Sequence, residues 1–183
     1  MANPQALYFT NNEDANRLLA ESPLALLIGL ALYQQVPVEK AFVGPYVLEQ
    51  RLGAPLDAGA ISGMDPEALE AIFKETPAIH RFPGSMAKRV QGLCGYVAEQ
   101  YNGDARRLWE DAEDPAQILR RLKALPGFGD YKATVSFTVL ARRLGVRPDG
   151  WEAAVANFPT VGDIGGPDQL DDFKARKKAW KNS

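Results

Sequence analysis

The sequence is short of the two residues on which soft-metal and disulfide chemistry depend, with one cysteine, Cys94, and one histidine, His80. A lone cysteine excludes an intrachain disulfide framework and any iron-sulfur cluster or zinc site built from several thiolates of this chain. Cys94 reads as a buried, inert thiol. His80, set between Pro77 and Pro83, reads as a structural loop residue rather than a base, and no cofactor is expected. Long apolar runs are missing as well, since the longest, Leu24 to Leu32, is too short to span a bilayer. Met1-Ala2-Asn3-Pro4 has no basic stretch leading into an apolar core, so a cytoplasmic protein, taken as a monomer, is expected rather than a secreted or membrane protein.

What is present suits one globular domain over residues 1–183: 46% of the residues are hydrophobic and 24% are charged, enough for a core and too apolar for disorder. The fold class expected is all-α. Thr10 with Glu13 has the form of a capping box, and Ser22-Pro23, Asp65-Pro66 and Asp114-Pro115 each place a capping side chain before a first-turn proline. Apolar residues at three- and four-residue spacing predict further helices over Ser85–Tyr101 and Tyr131–Leu144, each ended by a glycine. The stretches 53–64 and 160–167 read as loops, and Gln169–Lys181 as a basic terminal helix inside an extension over 158–183. The helix predicted from Pro23 to Gln35 is apolar on every side, as a helix surrounded by others must be. It ends in Tyr33-Gln34-Gln35, where a buried element reaches a surface.

The formal net charge of -2 hides an uneven distribution. Residues 1–80 hold 4 basic and 10 acidic side chains, whereas residues 81–183 hold 17 basic and 13 acidic ones. The cations gather from Arg81, Lys88 and Arg89 onward, which is where an anionic partner would be met.

Within that basic part, over about 115–144, a short helix from Pro115 to Ala124 is followed by the turn Leu125-Pro126-Gly127-Phe128-Gly129 and a second helix, with Asp130 as its expected cap. Glycines at Gly127 and Gly129 allow positive φ and keep side chains away, so amides at the second helix's N-terminus can point at one phosphate. Phe128 is expected to pack back between the two helices. Contacts of this kind position a protein on DNA without reading sequence.

The stretch Leu122 to Ala133 resembles the hairpin signature of the helix-hairpin-helix superfamily of base-excision DNA glycosylases, which includes endonuclease III and the adenine-mismatch and methyladenine DNA glycosylases. Tyr33-Gln34-Gln35-Val36-Pro37-Val38-Glu39-Lys40-Ala41 and Gly84-Ser85-Met86-Ala87-Lys88-Arg89 are similar to further segments of that superfamily, in consistent order over roughly Ala20 to Asn157. The resemblance implies a compact helical glycosylase fold without an iron-sulfur cluster, a damaged base in double-stranded DNA as substrate, and a monovalent cation at the hairpin as the one ion it would admit. By the same resemblance Leu125, Pro126, Gly127, Phe128, Gly129, Tyr131, Lys132 and Lys88 would face DNA, and Gln34 or Gln35 would fill the gap left by an extruded base.

Gly145-Val146-Arg147-Pro148-Asp149 matches the loop that in this superfamily delivers an aspartate to the sugar, which makes Asp149 the catalytic candidate. A carboxylate there would stabilise the positive charge that grows on deoxyribose as the N-glycosidic bond breaks. Asp149 with Glu152 also reads as a capping box for a helix over 150–157. Bifunctional members place a nucleophilic lysine where this chain has Tyr131, so the resemblance implies a monofunctional glycosylase. The alternative is a non-catalytic module that binds damaged or bent DNA. Lys132, about 100° further round the helix, is expected to face phosphate or solvent. Tyr33, Trp109, Phe128 and Trp151 are the aromatics that could stack on a flipped base, Tyr33 and Trp151 foremost. Only 34 residues follow Asp149, so the cover over a base pocket is expected to be slight.

Overall fold

Ser22 accepts from the Ala25 amide at 3.1 Å, Asp65 from Ala68 at 3.1 Å and Asp114 from Gln117 at 2.8 Å, so three of the four predicted helix starts form as read. The fourth is shifted: Asn12, not Thr10, caps the first helix, and the Thr10 hydroxyl turns instead to buried Asn16 at 2.7 Å. The computed structural model describes residues 4–183, and no strand occurs among them. Ten α-helices follow in order: α1 (Glu13–Glu21), α2 (Pro23–Leu32), α3 (Val38–Leu52), α4 (Ala58–Ser62), α5 (Pro66–Lys74), α6 (Pro83–Tyr101), α7 (Pro115–Lys123), α8 (Asp130–Arg143), α9 (Trp151–Ala154) and α10 (Leu170–Lys181). Short 3-10 turns lie at Ala105–Leu108 and Val161–Asp163.

α2 is the central element, with every residue from Leu24 to Leu32 buried, and α1, α3 and α6 pack around it. Gly29 lets α3 approach, because a Cβ there would stand 2.6 Å from the Phe42 ring. α7 and α8 pack against each other, and their apolar faces supply Ile118, Leu122, Phe137 and Leu140 to the same core. No described helix is long and apolar enough to cross a membrane.

The departures from the sequence reading lie where local signals are weak. α3 was not anticipated: it starts at Pro37 without a side-chain cap and carries Pro45 inside, each of which reads as a break. α4 forms within a stretch expected to be loop, started by Asp57, and a 3-10 turn forms within 160–167. α2 stops at Leu32, leaving Tyr33, Gln34 and Gln35 outside it. Cys94 is fully buried, and burial pushes its thiol up to about 12, in keeping with an inert core residue.

Candidate nucleic-acid interface

The α7–α8 turn is exposed at both glycines and buried at its apolar residues. Leu125 and Phe128 go into the core, the latter 6% exposed, and the amide of Phe128 donates to the Leu125 carbonyl at 3.1 Å. Gly127 holds φ +80, the left-handed region that favours glycine, and a Cβ there would stand 2.7 Å from Arg89 Nε. The two glycines therefore differ. Gly129 has φ -98, which any residue adopts, and it, rather than Asp130, is the N-cap of α8. No side chain caps α8, so its first amides face outward with the positive end of the helix dipole behind them. Asp130 pairs with Lys123 instead.

The same turn opens onto a cavity of about 870 Å³. One wall is the first turn of α8 with Gly129, Asp130, Tyr131 and Lys132; a second is the end of α2 with Tyr33, Gln34 and Gln35; the third is α10 with Lys177, Trp180 and Lys181. α10 thus supplies a cover that the short length after Asp149 did not lead us to expect. The walls carry three lysines against one carboxylate, itself paired.

The end of α2 is held by side chains from distant segments, which take carbonyls its own helix leaves unpaired. Lys132 Nζ donates to the Ala31 carbonyl at 3.1 Å and stands 5.5 Å from the centre of the Phe128 ring. His80 Nε2 lies 3.0 Å from the Leu32 carbonyl and 3.1 Å from that of Gln34, while Nδ1 accepts from the Phe82 amide at 2.9 Å. This network assigns the neutral ring with its proton on Nε2, and burial lowers the pKa in the same direction. Arg89 Nη1 donates to Gln34 Oε1 at 2.7 Å, so one guanidinium links the α2 end to the hairpin turn. Gln35 is exposed and held at φ +58, a left-handed conformation uncommon outside glycine.

Lys132 therefore does not face phosphate or solvent as its place on α8 suggested. It lines the cavity with its amine turned to the Ala31 carbonyl, where burial, with the Arg89 charge adding to it, lowers its pKa to about 8. Lys177 Nζ donates to the Tyr33 hydroxyl at 2.6 Å and lies 4.5 Å from the ring centre. Burial raises the Tyr33 phenol well above its ordinary value and lowers Lys177.

Of the other sequence-predicted residues, Lys88 is exposed on α6 and Pro126 packs near Gly92 of the same helix. Trp109 is core. Trp151 lies under the Arg147 guanidinium at 4.8 Å and is not among the cavity walls. Asp149 is exposed and outside the cavity lining, and the capping box read there does not form. Gly150, at φ +85, is the N-cap of α9, and no side chain caps it. The sequence reading missed Arg89 as the link to Gln34, Phe158 beside Tyr131, and Trp180 and Lys181 on α10. A tryptophan on the basic terminal helix was the one signal for the last two.

No family model matches the chain, and no curated protein matches it. Among solved structures, a trapped endonuclease III–DNA covalent intermediate, an estranged-adenine complex, is similar over 85% of this chain and 72% of that one, at 18% identity and a TM-score of 0.45. The all-helical architecture rests on the elements described above.

Proposed function

We propose that this chain is a base-excision DNA-repair protein of the N-glycosylase type. The observation that carries the reading is the continuity of turn and cavity: the exposed glycine turn that would grip a phosphate ends in Gly129, which is already a wall of a basic, aromatic cavity. A duplex backbone held on the α8 amides places a neighbouring nucleotide at the cavity mouth, and a base must leave the stack for its glycosidic bond to be reached. The cavity falls within the size range of small-molecule pockets and has room for a nucleobase. Gln35 would occupy the gap left behind; its exposure and its left-handed backbone, held at some cost in strain, support that reading. The hairpin resemblance adds support of its own.

Two routes for the chemistry follow, and they name different residues. In the monofunctional route Asp149 stabilises the sugar cation and water completes hydrolysis. In the second, Lys132 attacks C1′ as the base departs with the bonding pair; the nitrogen then loses a proton, and its lone pair forms an imine as the C1′–O4′ bond breaks and O4′ takes up a proton to open the sugar ring. The placement of Lys132 in the cavity favours the second route. An amine with a pKa near 8 is partly neutral, and so nucleophilic, at neutral pH.

The test is a panel of duplexes carrying uracil, alkylated purines, deaminated purines or oxidised bases, scored for base release with and without later alkali. The amine route predicts a borohydride-trapped cross-link that Lys132→Met abolishes and Asp149→Asn spares. The monofunctional route predicts alkali-dependent cleavage, no cross-link, and loss of release in Asp149→Asn. Salt-dependent duplex binding without release from any substrate would leave a non-catalytic DNA-binding module, and absence of duplex binding would overturn the reading.

A further inference from the structure

Three aromatic rings form a stack at the edge of the cavity; two of them, Tyr131 and Trp180, are among its walls, but base excision as argued above gives no task to their outer faces or to the stack as a whole. Tyr131 stands on the first turn of α8, Phe158 follows α9, and Trp180 lies on the last turn of α10. The Tyr131 and Phe158 ring centres are 5.3 Å apart with planes 10° from parallel, and those of Phe158 and Trp180 are 5.3 Å apart at 21°. This is offset stacking carried through three segments distant in sequence. Both end rings are open to solvent, Tyr131 at 54% and Trp180 at 44% exposure. Core filling does not account for rings left so uncovered.

The middle ring is firmly placed. The Ala156 amide donates to Thr138 Oγ1 of α8 at 2.8 Å, and Thr160 forms a capping box with Asp163, whose carboxylate pairs with Arg142 of α8. Phe158 lies between these two anchors. A cation stands close by: Lys181 lines the cavity with Trp180 and makes no salt bridge among the described residues.

We propose that the Tyr131–Phe158–Trp180 stack binds unpaired nucleotides of a DNA strand, with bases lying on the open faces of Tyr131 and Trp180 and a phosphate meeting Lys181. Open aromatic faces with a hydrated point charge beside them match a single strand, which offers a π-face and an anion in turn, whatever its sequence. A paired base presents no face to a protein ring. The site therefore selects DNA that is already open, and this inference rests on the DNA-repair reading above.

The experiment measures the affinity of the intact protein for a matched duplex, for the same duplex with a short central bubble, and for oligothymidylate, at one fixed salt concentration. The bubble is expected to bind about tenfold tighter than the matched duplex, the stacking of one or two bases. That ratio is expected to fall to about one in Trp180→Leu and to be kept in Trp180→Phe, which restores a ring. Equal affinities in the wild type, or a ratio unchanged in Trp180→Leu, would overturn the proposal. Gly129→Asp separates it from the hairpin reading. If duplex binding is lost in Gly129→Asp while Trp180→Leu leaves the ratio intact, the stack falls and the hairpin stands. If the wild type ignores duplex but binds oligothymidylate in a Trp180-dependent way, the stack stands and the hairpin reading falls.

Discussion

Two glycine-containing loops flank α8, one ending in Gly129 and the other running from Gly145 to Gly150, and the fold uses them differently. The first is wired into the molecule: Phe128 is buried beneath it, Arg89 lies against Gly127, and the residues after it line a cavity. The second also reaches the core, through Val146 and Trp151, and Arg147 donates to the Ala141 carbonyl of α8 at 2.9 Å while covering Trp151, but that ring stays partly uncovered and Asp149 stands in solvent. Each contains a positive-φ glycine and each matches a motif. A motif states what a backbone can do; the tertiary contacts around it decide whether it does so in company.

The sharpest way to break this contrast is to truncate the aromatic ring in each loop. Phe128→Ala is expected to cost about 3–5 kcal/mol, the range for an emptied aromatic core site. Trp151→Ala, at a half-buried position, is expected to cost about 1 kcal/mol. Denaturant unfolding at fixed pH measures both, and equal losses would show that the two loops are equally integrated.

The glycines give the next largest effect and separate two causes. Gly127→Ala meets both a left-handed φ and the Arg89 side chain, so a loss of about 2 kcal/mol is expected. Gly150→Ala meets the same φ in open space and is expected to cost about 1 kcal/mol. Gly129→Ala meets neither and is expected to stay within about 0.5 kcal/mol of wild type, while its methyl group weakens duplex binding. A stability loss in Gly129→Ala as large as that in Gly127→Ala would mean that the turn's conformation differs from the one described.

The pattern of what could be read from sequence follows the same division. Caps at Ser22, Asp65 and Asp114 and the turn at Gly127 are set by neighbours within four residues, so their side-chain chemistry was legible. Asp149 had the form of a cap, but Gly150, whose access to the left-handed region the chain uses there, is the N-cap of α9 instead. The direction of Lys132 was not legible, because its acceptor is the Ala31 carbonyl, 101 residues away, and only the folded position of α2 brings it within reach. The wall made by α10 is hidden for the same reason: Lys174 pairs with Glu39 at 2.7 Å and Lys177 with Tyr33, contacts across most of the chain.

Lys132 also sharpens the contrast through pH. Burial holds its folded-state pKa near 8, below the ordinary lysine value of about 10.4, so between those limits the unfolded chain binds more protons. Stability contributed at this site is therefore lowest below pH 8 and rises as pH increases through that window. Lys132→Met is expected to remove that rise, read from denaturant unfolding at several pH values. An identical pH profile in wild type and variant would place the amine in solvent.

The smallest expected effect is the most informative about the second loop. Asp149 is exposed, caps no helix and lines no wall of the cavity, so replacing its carboxylate with an amide of the same shape removes a charge from water and little else. Asp149→Asn should leave stability within about 0.5 kcal/mol of wild type. Duplex affinity should hold or rise slightly, since a negative charge has gone from a protein that meets phosphate. Base release is then a clean readout, because neither folding nor binding has been disturbed. If release survives, the chemistry belongs to the hairpin side, where Lys132 faces the cavity. If release is lost while affinity holds, Asp149 must reach the sugar only when DNA is bound, and a carboxylate that stands in solvent in the free protein would be given its role by the substrate.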